Sequence, residues 1–152
     1  MVTLQFMKKP SYLDPTQDQG REFFTSGIAG AVTMLNLLKF REVADYSTFA
    51  DLAPTLPITG EQAYFLYMKH TMPFLTASGG ELLFYGKATS FLIGPTDERW
   101  DAVMLIRQSS VQSFLAFAQN QEYLAGMGHR VAALSDSRLL PVVQTDPLSQ
   151  SC

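Results

Sequence analysis

Tyr64, Tyr67 and His70 follow one another at three-residue steps, which makes them neighbours along one side of a helix. A tyrosine–histidine set of this kind can donate and accept protons around a small substrate. It can equally be a pair of packed rings, with His70 capping a helix end near Pro73. A second group lies at residues 123–134. At about 100° per residue, Tyr123, Met127, Val131 and Leu134 form one stripe, and Arg130 falls inside it. A guanidinium facing an interior needs a carboxylate or a ligand anion. Asp101, Glu98 and Asp136 are the internal candidates, so Arg130 reads either as half of a structural ion pair or as the anchor for an acidic ligand. His129 points away from that stripe, and of the two histidines it is the better base near neutral pH. His129 and Tyr67 are therefore the expected catalytic residues.

Asn36 interrupts a strand face otherwise made of Val32, Met34 and Leu38. A buried amide without partners costs about 1–3 kcal/mol, so it bonds either a ligand carbonyl or hydroxyl, or the backbone of a neighbouring loop. Trp100, the only tryptophan, closes the charged turn 94–101. It is a core or interface anchor, or else the wall of a pocket. Asp101 beside it could pair with Arg130 or cap a strand. Asn36, Trp100, Arg130 and Asp101 make up the expected ligand-binding set. Two histidines and one terminal cysteine do not make a convincing zinc site, so no metal and no cofactor are expected. No Gly-x-Ser-x-Gly elbow, phosphate-binding loop or dinucleotide fingerprint is present.

The elements that must position these residues can be traced along the chain. Asp14-Pro15 opens a short helix to about Ser26. Residues 31–40 form the clearest strand, apolar on both faces. A long connection, 41–60, leads into a helix from Gly60 to about Ala77, stopped by Gly79-Gly80; Pro73 should kink or split it. Residues 82–85 and 91–93 read as one strand broken near Gly86. Residues 102–107 are another strand, apolar on both faces. Ser109-Ser110 caps a helix carrying Phe114, Leu115 and Phe117, a second helical stretch runs from 121 to about 134, and 139–143 is a last strand. Strand, helix, strand, strand, helix, strand is the split βαβ order of a ferredoxin-like α+β sandwich with a four-stranded antiparallel sheet. Its helices cover one face, yet two strands look apolar on both. A second copy is the simplest cover for the other face, which predicts a homodimer.

The 152 residues suit a modest core with no disulfide or metal. They divide into an extension with a short helix (1–29), the main domain (30–145) and a loose tail (146–152). Charged residues are 16% of the chain and the net charge is −3, with no basic block to meet phosphates; nucleic acid is not an expected partner. No stretch has the 18 apolar residues of a membrane span, the N-terminus lacks the order of a secretory signal, and Cys152 is the lone cysteine. A cytoplasmic protein without a membrane partner is expected.

Met34-Leu35-Asn36-Leu37-Leu38-Lys39-Phe40, Gly60-Glu61-Gln62-Ala63-Tyr64 with Tyr67, Gly79-Gly80, residues 94–101, Glu122-Tyr123, His129-Arg130 and Asp136-Ser137-Arg138-Leu139 together resemble the bacterial DUF1330 family, of the dimeric α/β-barrel group. The resemblance covers about residues 30–140. It implies a ferredoxin-like protomer whose sheet packs on that of a twin. It also implies relatives among cofactor-free monooxygenases, muconolactone isomerase-like proteins and haem-binding enzymes, and it transfers no catalytic residue. Two functions follow as expectations. One is a pocket between sheet and helices for a small polar or acidic organic molecule, with cofactor-free proton transfer or oxidation as its chemistry. The other is a dimeric binding or structural module without catalysis.

Overall fold

The computed structural model describes residues 9–149. Cys152, the end of the tail and the first eight residues lie outside them. Helix α1 (Gln17–Phe24) precedes strand β1 (Val32–Phe40). After a single 3-10 turn at Ala50–Leu52 come α2 (Gly60–Ala77), β2 (Glu81–Lys87), β3 (Ala102–Gln108), α3 (Val111–Ala118), α4 (Gln121–Leu124), α5 (Met127–Ala133) and β4 (Leu134–Val142). The sheet order is β2-β3-β1-β4 with every pair antiparallel. That is a ferredoxin-like α+β sandwich with an extra N-terminal helix. Among the described residues no helix is long and apolar enough to cross a membrane.

Local signals account for the long helix. Thr59 Oγ1 accepts from the Gln62 amide and the Gln62 side chain accepts from the Thr59 amide, a reciprocal capping box. Gly79, at φ +86°, supplies the left-handed residue that ends it. Pro73 does not split α2, which runs on to Ala77.

Three elements differ from the sequence reading. The helix expected over 121–134 is broken at Gly126. His70 Nε2 donates to the Glu122 carbonyl at 2.8 Å, taking the acceptor a continuous helix would offer the Gly126 amide. That amide turns instead to the Tyr123 carbonyl, 3.1 Å away. A side chain at Gly126 would meet the His70 ring. Strand β4 starts at Leu134, five residues before the expected 139. The amides of Arg41 and Asp45 take the Ala133 and Ala132 carbonyls, which closes α5 and turns the chain directly into the sheet. Finally, residues 91–93 are not a strand. Strand β2 ends at Lys87, and Leu92 and Ile93 stand almost fully exposed in the β2–β3 loop.

The two faces of the sheet are unlike. Val32, Met34, Leu38, Ala102, Met104 and Leu134 are buried on the helix side. There Leu38, Ala102, Met104 and Leu134 join Tyr64, Tyr67, Leu75, Phe117 and Tyr123 in one cluster. Across the other face the register lines up Phe84, Leu105, Leu35 and Leu140 in a single row. Phe84 is 54% and Leu140 57% exposed, so nothing among the described residues covers the ends of that row.

Candidate functional site

Helix α2 brings Tyr64 and Tyr67 inward, and α4 brings Tyr123 to meet them. The Tyr67 and Tyr123 hydroxyls share a 2.6 Å hydrogen bond, and the Tyr64 ring lies 5.2 Å from that of Tyr67. Burial pushes the Tyr64 and Tyr123 phenols far above their ordinary range, and neighbouring Tyr67 adds to the effect. Both stay protonated at any ordinary pH. They are hydrogen-bonding groups and not proton-accepting bases. The Arg130 charge acts on the same two phenols in the opposite direction, more weakly than burial does.

Arg130 is half-buried and finds no carboxylate among the described residues. Its Nη1 donates to the Leu13 carbonyl at 2.9 Å and its Nη2 reaches Ser137 Oγ at 3.4 Å. None of the ion pairs among the described residues includes it. The three carboxylates that the sequence offered are engaged elsewhere. Glu98 accepts from the Trp100 indole. Asp101 accepts from the Phe40 amide at 2.7 Å, while its own amide donates to Leu38, so it fastens the β2–β3 hairpin to the end of β1. Asp136 lies one strand residue away from Ser137 and points to the opposite side. Burial opposes the Asp136 charge, but the Tyr12 amide, Arg138 and the Ser137 amide together hold its carboxyl below the usual value.

The remaining predicted residues separate. Asn36 stays on the helix side, half-buried, its amide donating to the Met34 and Met104 carbonyls at 3.2 and 3.4 Å. It sits two residues along β1 from Leu38, whose β4 partner is Ser137, a step of about 6.8 Å. Trp100 packs on Arg138, whose guanidinium lies 4.9 Å from the Trp100 ring and 4.7 Å from the Tyr12 ring. Arg138 pairs with Leu37, on the uncovered face. His129 Nδ1 is bonded to the Tyr46 hydroxyl at 2.7 Å, linking α5 to the 41–60 connection. Burial, helped by His70, lowers the His129 pKa and so disfavours the charged ring. His129 and Tyr67 therefore share no hydrogen bond. A surface cavity at residues 47–52 and Ala125, and another at residues 24–28 with Val111 and Gln112, are lined by none of the predicted residues.

Sequence reasoning missed Ser137, Tyr46 and the segment 12–13 at this site. Ser137 carried a signal: it alternates with Asp136 and Arg138, and a polar residue on the inward side of a strand needs a partner. Among the described residues no group of three or more His, Cys, Asp or Glu could hold a metal ion.

The sheet order and the helix-side cluster define a ferredoxin-like α+β protein whose half-buried Arg130 enters none of the ion pairs among the described residues. No family model and no curated protein matches the chain. Among solved structures, the RPA0582 protein of Rhodopseudomonas palustris, a protein of unknown function, is 31% identical, with a TM-score of 0.79 over 91% of this chain and 100% of that one. The methylated RPA0582 protein gives 31% and 0.81 over 91% and 98%. The chain belongs to the family of RPA0582.

Proposed function

We propose that the chain binds a small organic acid at Arg130, on the helix side of its sheet, and that it does so as a homodimer joined through the uncovered face. The observation that carries the first part is a half-buried guanidinium with two neutral acceptors and no carboxylate among the described residues. An incoming carboxylate would bring the opposite full charge that the present acceptors lack and could take the planar guanidinium fork bidentately. The Tyr67–Tyr123 hydroxyl pair supplies further polar contact nearby, and Asn36 stands a strand step away. Tyr67 is the residue through which proton transfer to or from the ligand would run. His129, bonded to Tyr46, belongs to another surface of α5. Trp100 and Asp101 serve the sheet end and the dimer side. Membership of the DUF1330 family is part of this proposal and rests on the ordered motifs.

The homodimer is supported by the row Phe84, Leu105, Leu35 and Leu140, an apolar strip that an identical strip can cover across a twofold axis. A non-catalytic module is the second reading. It is favoured by the hydrogen bonds that Tyr67, Tyr123 and Arg130 already make within the chain.

Calorimetric titration of benzoate into the wild type and Arg130→Gln separates the two. Acid binding predicts saturable heat in the wild type and its loss in the variant. A variant that lowers the melting temperature, with no benzoate binding in either protein, supports the module instead.

A further inference from the structure

Residues 9–14 form a strap whose Tyr12 lies against β4 and whose Leu13 carbonyl meets α5. The Tyr12 amide donates to Asp136 at 2.8 Å, Arg138 lies over the Tyr12 ring, and Lys9 pairs with Asp97 at 2.9 Å. The Leu13 side chain packs on the core cluster. Two consecutive carbonyls of the strap then meet two adjacent donors of the body. Ser137 Oγ donates to the Tyr12 carbonyl at 2.6 Å, and Arg130 Nη1 donates to the Leu13 carbonyl at 2.9 Å. Ser137 is only 5% exposed, so its hydroxyl is a built feature of the interior edge. Arg130 Nη2 reaches the same hydroxyl, which places the two donors side by side.

We infer that Ser137 and Arg130 form a two-donor carboxylate subsite, and that the chain's own strap fills it, the Tyr12 and Leu13 carbonyls standing where the two oxygens of a ligand carboxylate bind. This rests on the reading of Arg130 as the acid-binding group and deepens it by naming the second donor and the occupant to be displaced. The exchange has a direction. Both strap acceptors are neutral, whereas a carboxylate brings charge to the guanidinium. The ion pair that tethers the strap outside the subsite, Lys9 with Asp97, is exposed and individually weak. A site whose competent state is only partly populated binds with an apparent affinity reduced by that fraction. Loosening the strap therefore strengthens ligand binding. A strap that merely completes the pocket would weaken it when loosened.

The test uses the full chain with benzoate as probe and benzamide as its uncharged counterpart. Amide exchange at Tyr12, followed by NMR, is expected to speed up as benzoate saturates and to stay unchanged with benzamide. Asp136→Ala frees the Tyr12 amide without removing either donor, and is expected to raise benzoate affinity about tenfold. Saturable benzoate binding with unchanged Tyr12 exchange, or with affinity unchanged or lowered in Asp136→Ala, overturns the strap as competitor while leaving acid binding at Arg130 standing. No saturable binding in either protein overturns both. If Asp136→Ala does not fold, the wild-type comparison of benzoate with benzamide decides alone.

Discussion

The two faces of the sheet solve the same problem differently. On the helix side, strand side chains disappear beneath α2, α3 and α5, and several polar groups among them are matched, Tyr67 to Tyr123, Asn36 to backbone carbonyls and Ser137 to the strap, while Thr71 Oγ1 and Gln108 Oε1 are buried with no partner among the described residues. Arg130 brings a charge there that enters no ion pair among the described residues. On the other face the strip Phe84, Leu105, Leu35 and Leu140 carries no polar group, and its ends are more than half exposed. A closed face with a cation outside those ion pairs suits a small anionic ligand. An open face with an uninterrupted apolar strip suits a protein surface of the same shape.

The largest effect expected from breaking this contrast comes at Leu35. Leu35→Glu places a carboxylate in the middle of the apolar strip, and twice in a twofold dimer. An unpaired buried charge costs about 3–5 kcal/mol, so sedimentation should find a monomer that is still folded by circular dichroism. A dimer that survives the substitution means the uncovered face is not the interface. Tyr67→Phe probes the closed face. It leaves the Tyr123 hydroxyl with only the Met127 sulfur, 3.8 Å away, and should lower stability by about 1–2 kcal/mol in urea titration without changing the association state. A neutral result there would indicate that the tyrosine pair is not needed to satisfy the interior.

The smallest effect is a pH dependence at the strap. Asp136 has a folded pKa below its unfolded value, so its contribution is complete above the ordinary carboxylate pKa of about 3.9 and is lost as pH falls through the lower folded value. Exchange at the Tyr12 amide should accelerate in that acid window, relative to its intrinsic rate, before the core amides follow. The Asp136→Ala variant should lack the transition.

Much of the architecture was legible because period-two and period-3.6 patterns are local. The strand at 31–40, the capped helix from Gly60 and the split βαβ order can be read from residue spacing alone. What escaped depended on distant partners. Nothing near Gly126 says that a histidine fifty-six residues earlier takes the Glu122 carbonyl and breaks the helix. The polar run Ser135-Asp136-Ser137-Arg138 hides the start of β4, because its polar residues are satisfied by the strap and by one another. The candidate site was legible in part. The stripe places Arg130 inward, and it is half-buried with its guanidinium on the Leu13 carbonyl and Ser137. Its carboxylate partner was not there to be found, and its acceptor, the Leu13 carbonyl, belongs to a segment 117 residues away that no pattern around Arg130 could indicate. Trp100 and Asp101 were grouped with Arg130 by residue type, but Trp100 packs on Arg138, whose register partner Leu37 lies on the other face.

The most direct measurement is an NMR titration of the full chain with benzoate, watching the Arg130 Nε–H and Tyr12 amide signals alongside the methyl groups of Leu35, Leu105 and Leu140. The account predicts saturable shifts at Arg130 and Tyr12 with the three leucines unmoved. Shifts confined to the leucines, or no saturable shift at Arg130, would contradict it.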